Sequence, residues 1–315
     1  MKNALPKVTV VMSIYKPKTD YLIEQINSIK SQTYKNLELL IWDDYENGSI
    51  SSNELEAIIG DFPYEFVTEG VNKGYIKAFE KLTELAKGEY IAFCDQDDVW
   101  KEDKIEICIR EMQKNHAILA TSDREIIDKD GNVINKSVRH RSKMPEDTWS
   151  AGDDITDRAV FTCFAIGMSI VAKTDMVKQC MPFPKETGHD KWITMCCSTM
   201  GKVIYIDEVL QSYRRHGKNV SGILIGIQSK KDYYEQRVEP SYIVAEEFIK
   251  KFPDHKSNKE IAEFALARKN RNVIKIFRYR NLAKSVAFFE LILALVPNCI
   301  FCIGLKIPER LCSRK

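Results

Sequence analysis

Gly88-Glu89-Tyr90-Ile91-Ala92-Phe93-Cys94-Asp95-Gln96-Asp97-Asp98-Val99-Trp100 is the stretch whose reading decides the fold. After the glycine, Tyr90 to Cys94 alternates aromatic with aliphatic residues, the composition of a buried strand. Three carboxylates then fall within four positions, which places them at the carboxyl end of that strand, the edge where open α/β sheets hold their ligands. Asp95 and Asp97, two apart, can converge on one hard divalent cation while Asp98 points elsewhere. The competing reading is a polar turn before a helix that starts near Lys101. An EF-hand is excluded, because it would need an acidic ligand at Val99 and a glycine at Trp100.

Upstream of this stretch, apolar runs and helical spacings alternate. Val8 to Ile14, β-branched and following Pro6, reads as the first and central strand, with Ser13, Tyr15 and Lys16 at its carboxyl edge. Leu22, Ile26 and Ile29 recur at helical spacing between Thr19 and Thr33. Leu37 to Trp42 is a second strand, and it ends in Asp43-Asp44, so a second pair of acids reaches the same edge. Ser51 with Glu54 forms a capping box for a helix through Ile59, Tyr64 to Thr68 reads as a strand, and Gly74 to Ala86 reads as a helix. Strands alternating with helices imply a mostly parallel sheet.

Downstream, Ile105, Ile109 and Met112 mark a helix and Ala117 to Ser122 a strand. Asp128-Lys129-Asp130-Gly131 reads as a hairpin turn and not a calcium loop. Asn135 to Thr156 is polar and weakly patterned, a candidate loop over a site. Phe164 to Lys173 is expected to be a strand, Gly188-His189-Asp190-Lys191-Trp192 leads into a helix through Met200, and Val203 to Ile206 and Val209 to Tyr213 read as two short strands. From about Ile223 only helical patterns remain, so the expected division is 1–222 and 223–315.

A chain of 315 residues with 44% hydrophobic content can bury one large core and a smaller appendage. The formal charge of +2 hides a run of seven bases without an acid: Arg268, Lys269, Arg271, Lys275, Arg278, Arg280 and Lys284. Taking those seven from +2 leaves −5 for the remainder, which argues against a general nucleic-acid binder. The nine cysteines are scattered without zinc-ribbon spacing, the usage of a cytosolic protein with reduced thiols. Met1 to Pro6 is too short and too polar for a signal peptide.

Taken in order, Val8 to Tyr15, Ser28-Ile29-Lys30-Ser31-Gln32-Thr33-Tyr34, Leu40-Ile41-Trp42-Asp43-Asp44 and Gly88 to Asp98 resemble the family 2 glycosyltransferases, inverting enzymes of the GT-A fold. The resemblance covers roughly Lys7 to Gly222. Asp-Gln-Asp-Asp-Val-Trp, with Tyr213-Arg214-Arg215-His216-Gly217 and Asn219-Val220-Ser221-Gly222, looks most like bacterial rhamnosyltransferases of surface-polysaccharide assembly. The implied fold is a Rossmann-like, mostly parallel mixed sheet flanked by helices, with a C-terminal helical appendage. The resemblance implies that Asp95-Gln96-Asp97 is the family's Asp-x-Asp, Asp97 holding Mg²⁺ or Mn²⁺ and Asp95 lying near the metal or the nucleotide ribose. It further implies that Asp44 meets the pyrimidine base, that Ser13 and Tyr15 border base and ribose, that Lys73 and Gly74 touch the nucleotide, and that Asp43 is structural.

Asp190 matches the family's general base, the second member of a Glu-Asp-like pair, although His189 stands where the family has Glu. Its competing role is a helix N-cap. His216 matches a histidine that some members use toward the metal or diphosphate, and Arg214, Arg215 and Lys218 would suit an anionic diphosphate. Trp100, Trp149 and Trp192 read first as core residues. The implied activity is transfer of a sugar, L-rhamnose from dTDP-rhamnose, to a hydroxyl of a lipid-linked glycan at the inner membrane face. The alternatives are a UDP-hexose donor or an inactive glycan-binding protein. A sugar-nucleotide pyrophosphorylase would carry a glycine-rich phosphate loop where Ser13-Ile14-Tyr15-Lys16-Pro17 has no glycine.

Val286 to Leu305 follows the basic run and is nearly continuous apolar sequence. At about 1.5 Å per residue such a run just reaches across a hydrocarbon core of roughly 30 Å. Glu290 near its start, Pro297-Asn298 in its second half, and Lys306, Arg310, Arg314 and Lys315 beyond it favour shallow insertion at an anionic surface over a span or a purely internal helix.

Overall fold

Four strands, Val8–Ile14 (β1), Leu37–Asp43 (β2), Tyr64–Thr68 (β3) and Tyr90–Cys94 (β4), run parallel in the spatial order β3-β2-β1-β4. β1 and β4 are buried on both faces, which is why they read as continuous apolar runs instead of alternating ones. Helices Thr19–Lys30 (α1), Ser52–Ile59 (α2) and Tyr75–Leu85 (α3) make the crossovers. The Ser51–Glu54 capping box opens α2 as the sequence predicts. Gly88 is required at the turn into β4, since a Cβ there would lie 2.6 Å from the Thr9 amide nitrogen. The computed structural model describes residues 5–139, 149–150, 152–216 and 226–305.

Beyond the acids, Val99–Trp100 (β5), Lys104–Asn115 (α4), Leu119–Ile127 (β6) and Val133–Asn135 (β7) follow, β6 and β7 joined by the expected hairpin at Asp128–Gly131. A single helical turn, Thr156–Ala159 (α5), precedes Val171–Lys173 (β8), Thr174–Cys180 (α6), His189–Met200 (α7) and Val203–Arg214 (β9). The sheet continues from β4 through β8 and β6 to β9 and β5. β8 is antiparallel to β4 and to β6, β6 is parallel to β9, and β5 is antiparallel to β9. The result is a mixed sheet whose purely parallel part is β3-β2-β1-β4.

Three differences from the sequence reading have physical causes. Only Val171–Lys173 of the apolar run Phe164 to Lys173 is a strand; Gly167–Ser169 is a 3-10 turn buried behind β4, and burial, not extension, makes it apolar. The two expected strands after Val203 are one, β9, kept continuous by irregular register opposite Ser122, Asp123 and Arg124. β5, two residues long, exists only by pairing with Gln211 and Ser212 of β9. The candidate loop Asn135 to Thr156 lies largely outside the described residues, as do Gly217 to Gly222.

The chain divides into two compact units, Met1–Ile155 with Cys163–Gly217, and Thr156–Thr162 with Lys218–Lys315. The first unit packs Met12, Ile14, Leu39, Ile41, Cys94, Ile105 and Ile204 into one apolar cluster. Trp100, Trp149 and Trp192 are all buried in core positions.

The second unit is helical, with Lys230–Tyr233 (α8), Glu239–Lys251 (α9), Asn258–Lys269 (α10), Val273–Arg278 (α11), Lys284–Leu295 (α12) and Asn298–Leu305 (α13). Arg268, the first of the seven bases in the run above, is buried. Its guanidinium donates to Glu290 at 2.9–3.2 Å and to Ser241 Oγ at 2.7 Å, and Tyr233 donates its hydroxyl to the same carboxylate. Ala287, Glu290 and Leu293 form the packed face of α12, while Phe288, Ile292 and Leu295 on the other face are exposed. Pro297 separates α12 from α13, and no helix of the described residues is long and apolar enough to cross a membrane.

Candidate active site

The carboxyl ends of β1, β2 and β4 bring the predicted site residues of the first half to one edge. Ser13 is half-buried in β1, opposite Trp42 of β2. Tyr15 is exposed just beyond β1, edge-on to Tyr45 at 5.6 Å between ring centres. Gln96 uses both ends of its amide on the main chain of Tyr15, accepting from the N–H at 2.8 Å and donating to the carbonyl at 3.3 Å. It therefore acts as a brace between the β1 tip and the acid loop.

Asp44 is buried, and its Oδ1 accepts from the Lys73 main-chain N–H at 2.9 Å and from the Trp42 indole at 3.3 Å. The Lys73 side chain pairs with Glu69, and Gly74, at φ +78°, is the residue before α3. Asp43 is structural: its carboxylate takes the N–H of Tyr45 at 3.1 Å, the Ser49 hydroxyl at 2.6 Å and the Ser49 N–H. The same Ser49 hydroxyl accepts from the N–H of Lys16, a non-glycine residue at φ +46°.

The acids after β4 are held quite differently. Asp98 is buried, with Oδ1 accepting from the Arg214 N–H at 2.9 Å and Oδ2 without a partner among the described residues, and burial drives its carboxyl well above the usual range. Asp95 is pushed up to about 7, first by burial and then by the charges of Asp97 and Asp190. The local counter-charge is Lys104, fully buried on α4, whose Nζ donates to the Met168 carbonyl at 2.5 Å and lies 3.6 Å from the Trp100 ring centre. Burial lowers that ammonium to about 8.

Arg214, at the end of β9, supports the acid loop from behind. Its Nε donates to the Asp97 carbonyl at 2.9 Å, its guanidinium pairs with Glu24, and it stacks 4.3 Å from the Tyr21 ring centre. The sequence reading gave Arg214 to an anionic diphosphate, but its buried guanidinium is engaged by the Asp97 carbonyl and Glu24; Lys104 did not stand out, because a lysine in a helix reads as solvated. Two residues past Arg214, His216 Nε2 lies 2.7 Å from Asp97 Oδ2.

Asp190 is the second residue of α7, whose N-cap is Gly188 with no side-chain cap, so the N-cap role does not fall to Asp190. Its Oδ1 accepts from the Lys191 N–H at 2.7 Å, and its Oδ2 makes no hydrogen bond among the described residues. His189 is buried, stacked on Phe79 at 4.1 Å between ring centres, with neither ring nitrogen hydrogen-bonded among the described residues. Desolvation holds it down to about 4, so the imidazole is neutral near pH 7.

Among the described residues no three His, Cys, Asp or Glu side chains close on one point as a metal cage. The hydrogen-bonded Asp97–His216 pair, beside Asp95, offers at most two ligands of the kind a half-site would need. A hard divalent cation fits such a half-site, since Mg²⁺ is commonly held by one or two carboxylates while substrate phosphates and water complete its shell.

The carboxylates at the β4 edge and the acid on α7 thus stand on a mixed α/β sheet of GT-A-like fold. Residues 9–171 match Glycosyl transferase family 2, and the chain belongs to that family. An uncharacterized glycosyltransferase of Nostoc sp. is 27% identical over 218 residues, 68% of this chain and 66% of that protein. One from Rickettsia conorii is 30% identical over 213 residues, 67% of this chain but 33% of its own length. The Escherichia coli UDP-Glc:alpha-D-GlcNAc-diphosphoundecaprenol beta-1,3-glucosyltransferase WfgD is 31% identical over 131 residues, 42% of this chain and 50% of WfgD. The chain thus spans from a third to two thirds of these relatives. The structure of S. aureus TarS 1-349 in complex with UDP-GlcNAc superimposes with TM-score 0.61 at 15% identity, covering 84% of this chain and 73% of TarS 1-349, a likeness of fold.

Proposed function

We propose that the chain is a metal-dependent, inverting glycosyltransferase that takes a sugar from a nucleoside-diphosphate donor and gives it to a hydroxyl of a lipid-linked glycan. The observation that carries this is Asp190, whose Oδ2 is uncommitted among the described residues and whose charge, after burial and Asp97, helps to raise the Asp95 carboxyl. Asp190 takes the proton of the acceptor hydroxyl as that oxygen bonds to the anomeric carbon. The bond from that carbon to the diphosphate oxygen breaks, the configuration inverts, and the nucleoside diphosphate leaves with the bonding pair. A Mg²⁺ or Mn²⁺ ion held by Asp97 and His216, with Asp95 adjacent, would supply charge neutralisation for the leaving diphosphate. Gln96 and Arg214 hold the loop that presents those groups.

For the donor we propose dTDP-L-rhamnose, on the Asp-Gln-Asp-Asp-Val-Trp and Tyr213-to-His216 resemblance. A UDP-hexose is the second reading, favoured by the donor named for WfgD and the ligand named for TarS. Incubating the protein with each donor, Mn²⁺ and a polyprenyl-diphosphate-linked sugar, and measuring released nucleoside diphosphate, decides between them. Release from neither donor overturns the proposal.

We place the enzyme on the cytoplasmic face of the cell membrane. Exposed Ile274, Phe277, Phe288, Ile292 and Leu295 on α11 and α12, beside Arg278, Arg280 and Lys284, support this, because basic and apolar groups together suit an anionic lipid surface. Flotation with vesicles containing anionic lipid is expected, and its absence would remove the membrane assignment.

A further inference from the structure

Arg124, in the second half of β6, is half-buried, and its side chain makes no hydrogen bond or ion pair among the described residues. Three other arginines of low exposure are answered by carboxylates: Arg139 by Asp207 at 3.4 Å, Arg214 by Glu24, and Arg268 by Glu290 at 2.9 Å. The acid adjacent to Arg124 is already taken. Asp123 accepts from the main-chain N–H groups of Arg124 and Arg139 at 2.8 and 3.1 Å and from the Ser137 hydroxyl. Burial lowers the Arg124 guanidinium below the ordinary arginine range, and a charge drawn out of water is ordinarily paired. Its nitrogens are not sealed off as the Trp100 indole and the His189 ring are, so a ligand can reach them.

The sheet sets this cation at the working edge. Ala92 of β4 pairs with Val171 of β8, and Val171 with Ala120 of β6. Both outer strands are antiparallel to β8, so β4 and β6 point the same way. Asp95 and Asp123 each stand three residues past that line, two strand spacings or about 10 Å apart, and Arg124 is the next residue. The Cys163 thiol feels the charges of both Asp190 and Arg124, which brings the carboxylate and the guanidinium close to one atom. In the reaction proposed above the acceptor hydroxyl lies against Asp190, and a lipid-linked sugar carries a phosphate on the same ring. A guanidinium fork matches two phosphate oxygens at once, whereas a neutral sugar has no need of a cation.

Resting on the acceptor reading above, we infer that Arg124 binds an oxyanion of the acceptor, the phosphate joining the attacking sugar to its lipid, and so holds that sugar's hydroxyl at Asp190. The carboxylate of a uronic acid offers the same chemistry, and the experiment separates the two sources.

The test is calorimetry on the full chain in Mn²⁺ with saturating UDP, repeated with dTDP. The probes are farnesyl-diphosphate-linked N-acetylglucosamine against farnesyl N-acetylglucosaminide, and octyl glucuronide against octyl glucoside. Wild type is expected to prefer the diphosphate-linked probe to its neutral counterpart. Arg124→Gln should lose that preference by about tenfold to a hundredfold, the usual effect of removing one charged hydrogen-bond partner, while binding UDP, dTDP and the neutral glycosides as wild type does. Arg124→Lys, which keeps the charge without the fork, should retain part of the preference. Arg124→Gln should melt no lower than wild type, because the guanidinium gives up no partner; if it does not fold, Arg124→Met carries the same comparison. A preference for the glucuronide alone, lost in Arg124→Gln, upholds the oxyanion site and moves its source to a uronic acid. Wild-type preference persisting in a folded Arg124→Gln overturns the site and leaves the lipid-linked acceptor intact. Weakened UDP and dTDP binding in that variant overturns it too, by giving Arg124 to the donor. A wild type that discriminates within neither pair overturns both the site and the lipid-linked acceptor.

Discussion

Two acidic clusters stand at the same sheet edge, and they are built in opposite ways. After β2, Asp43 is saturated by three donors from the loop it closes, and Asp44 is tied to Trp42 and Lys73. After β4, Asp95 is raised by burial and then by its neighbours, and among the described residues Asp98 keeps a bare buried oxygen while Asp190 and His189 leave hydrogen-bonding atoms uncommitted. Similar residues in similar places thus divide into a wall and a receptor. The difference is whether the protein itself supplies the partners. A folded chain carries unsatisfied, mutually repelling groups only at a loss of stability, which is why the second cluster is the one proposed to receive ligands.

The largest expected effect comes from the receptor side. Asp97→Ala should lower turnover by about a thousandfold, through loss of cation grip on the leaving diphosphate, without lowering the melting temperature, since it also relieves repulsion with Asp95. A melt several degrees lower would show that Asp97 belongs with the wall.

Stability against pH separates the clusters next. His189 titrates at about 4 when folded and near 6.5 when unfolded, so between those values the unfolded chain binds the extra proton. Its contribution is whole above pH 6.5 and is lost as pH falls toward 4, at most about 3 kcal/mol. The charged and titratable groups nearest it are Asp190, Asp95 and Tyr75. Urea melts of wild type and His189→Leu across that window should diverge by this component, and parallel curves would refute it.

Asp190→Asn should reduce turnover on the order of a hundredfold while keeping donor affinity, because an amide cannot take the acceptor's proton. Unchanged turnover would return Asp190 to a purely structural role.

Asp43→Ala should do the reverse of Asp97→Ala, removing about 2 kcal/mol of stability with turnover changed less than tenfold. Chemical denaturation and initial rates, measured together, check it. A large fall in rate at full stability would erase the contrast between the two clusters.

How much of this was legible follows from what the residues depend on. β1 and β3 were readable to their end residues, and β2 to within one, because each is a local run bounded by proline or polar sequence. β5 was not: Val99-Trp100 is extended only because Gln211 and Ser212 arrive from β9. Asp95, Asp97, Asp190 and His216 could be singled out by motif, but the saturation of Asp43 against the exposure of Asp97 to a ligand depends on side-chain geometry. Arg268 misled for the same reason, since a base in a basic run gives no sign that Glu290, twenty-two positions on, is its partner.

The grip of Arg214 on the acid loop also sets an order of events during synthesis. The parallel strands β1 to β4 are complete once residue 94 has left the ribosome, and the wall of Asp43 and Asp44 can form with them. The Asp97 carbonyl and the Asp98 carboxylate wait for residue 214, and the Asp97 side chain waits for residue 216. A nascent chain therefore completes the Asp43–Asp44 wall early and the bracing of the Asp97–Asp98 loop only with β9.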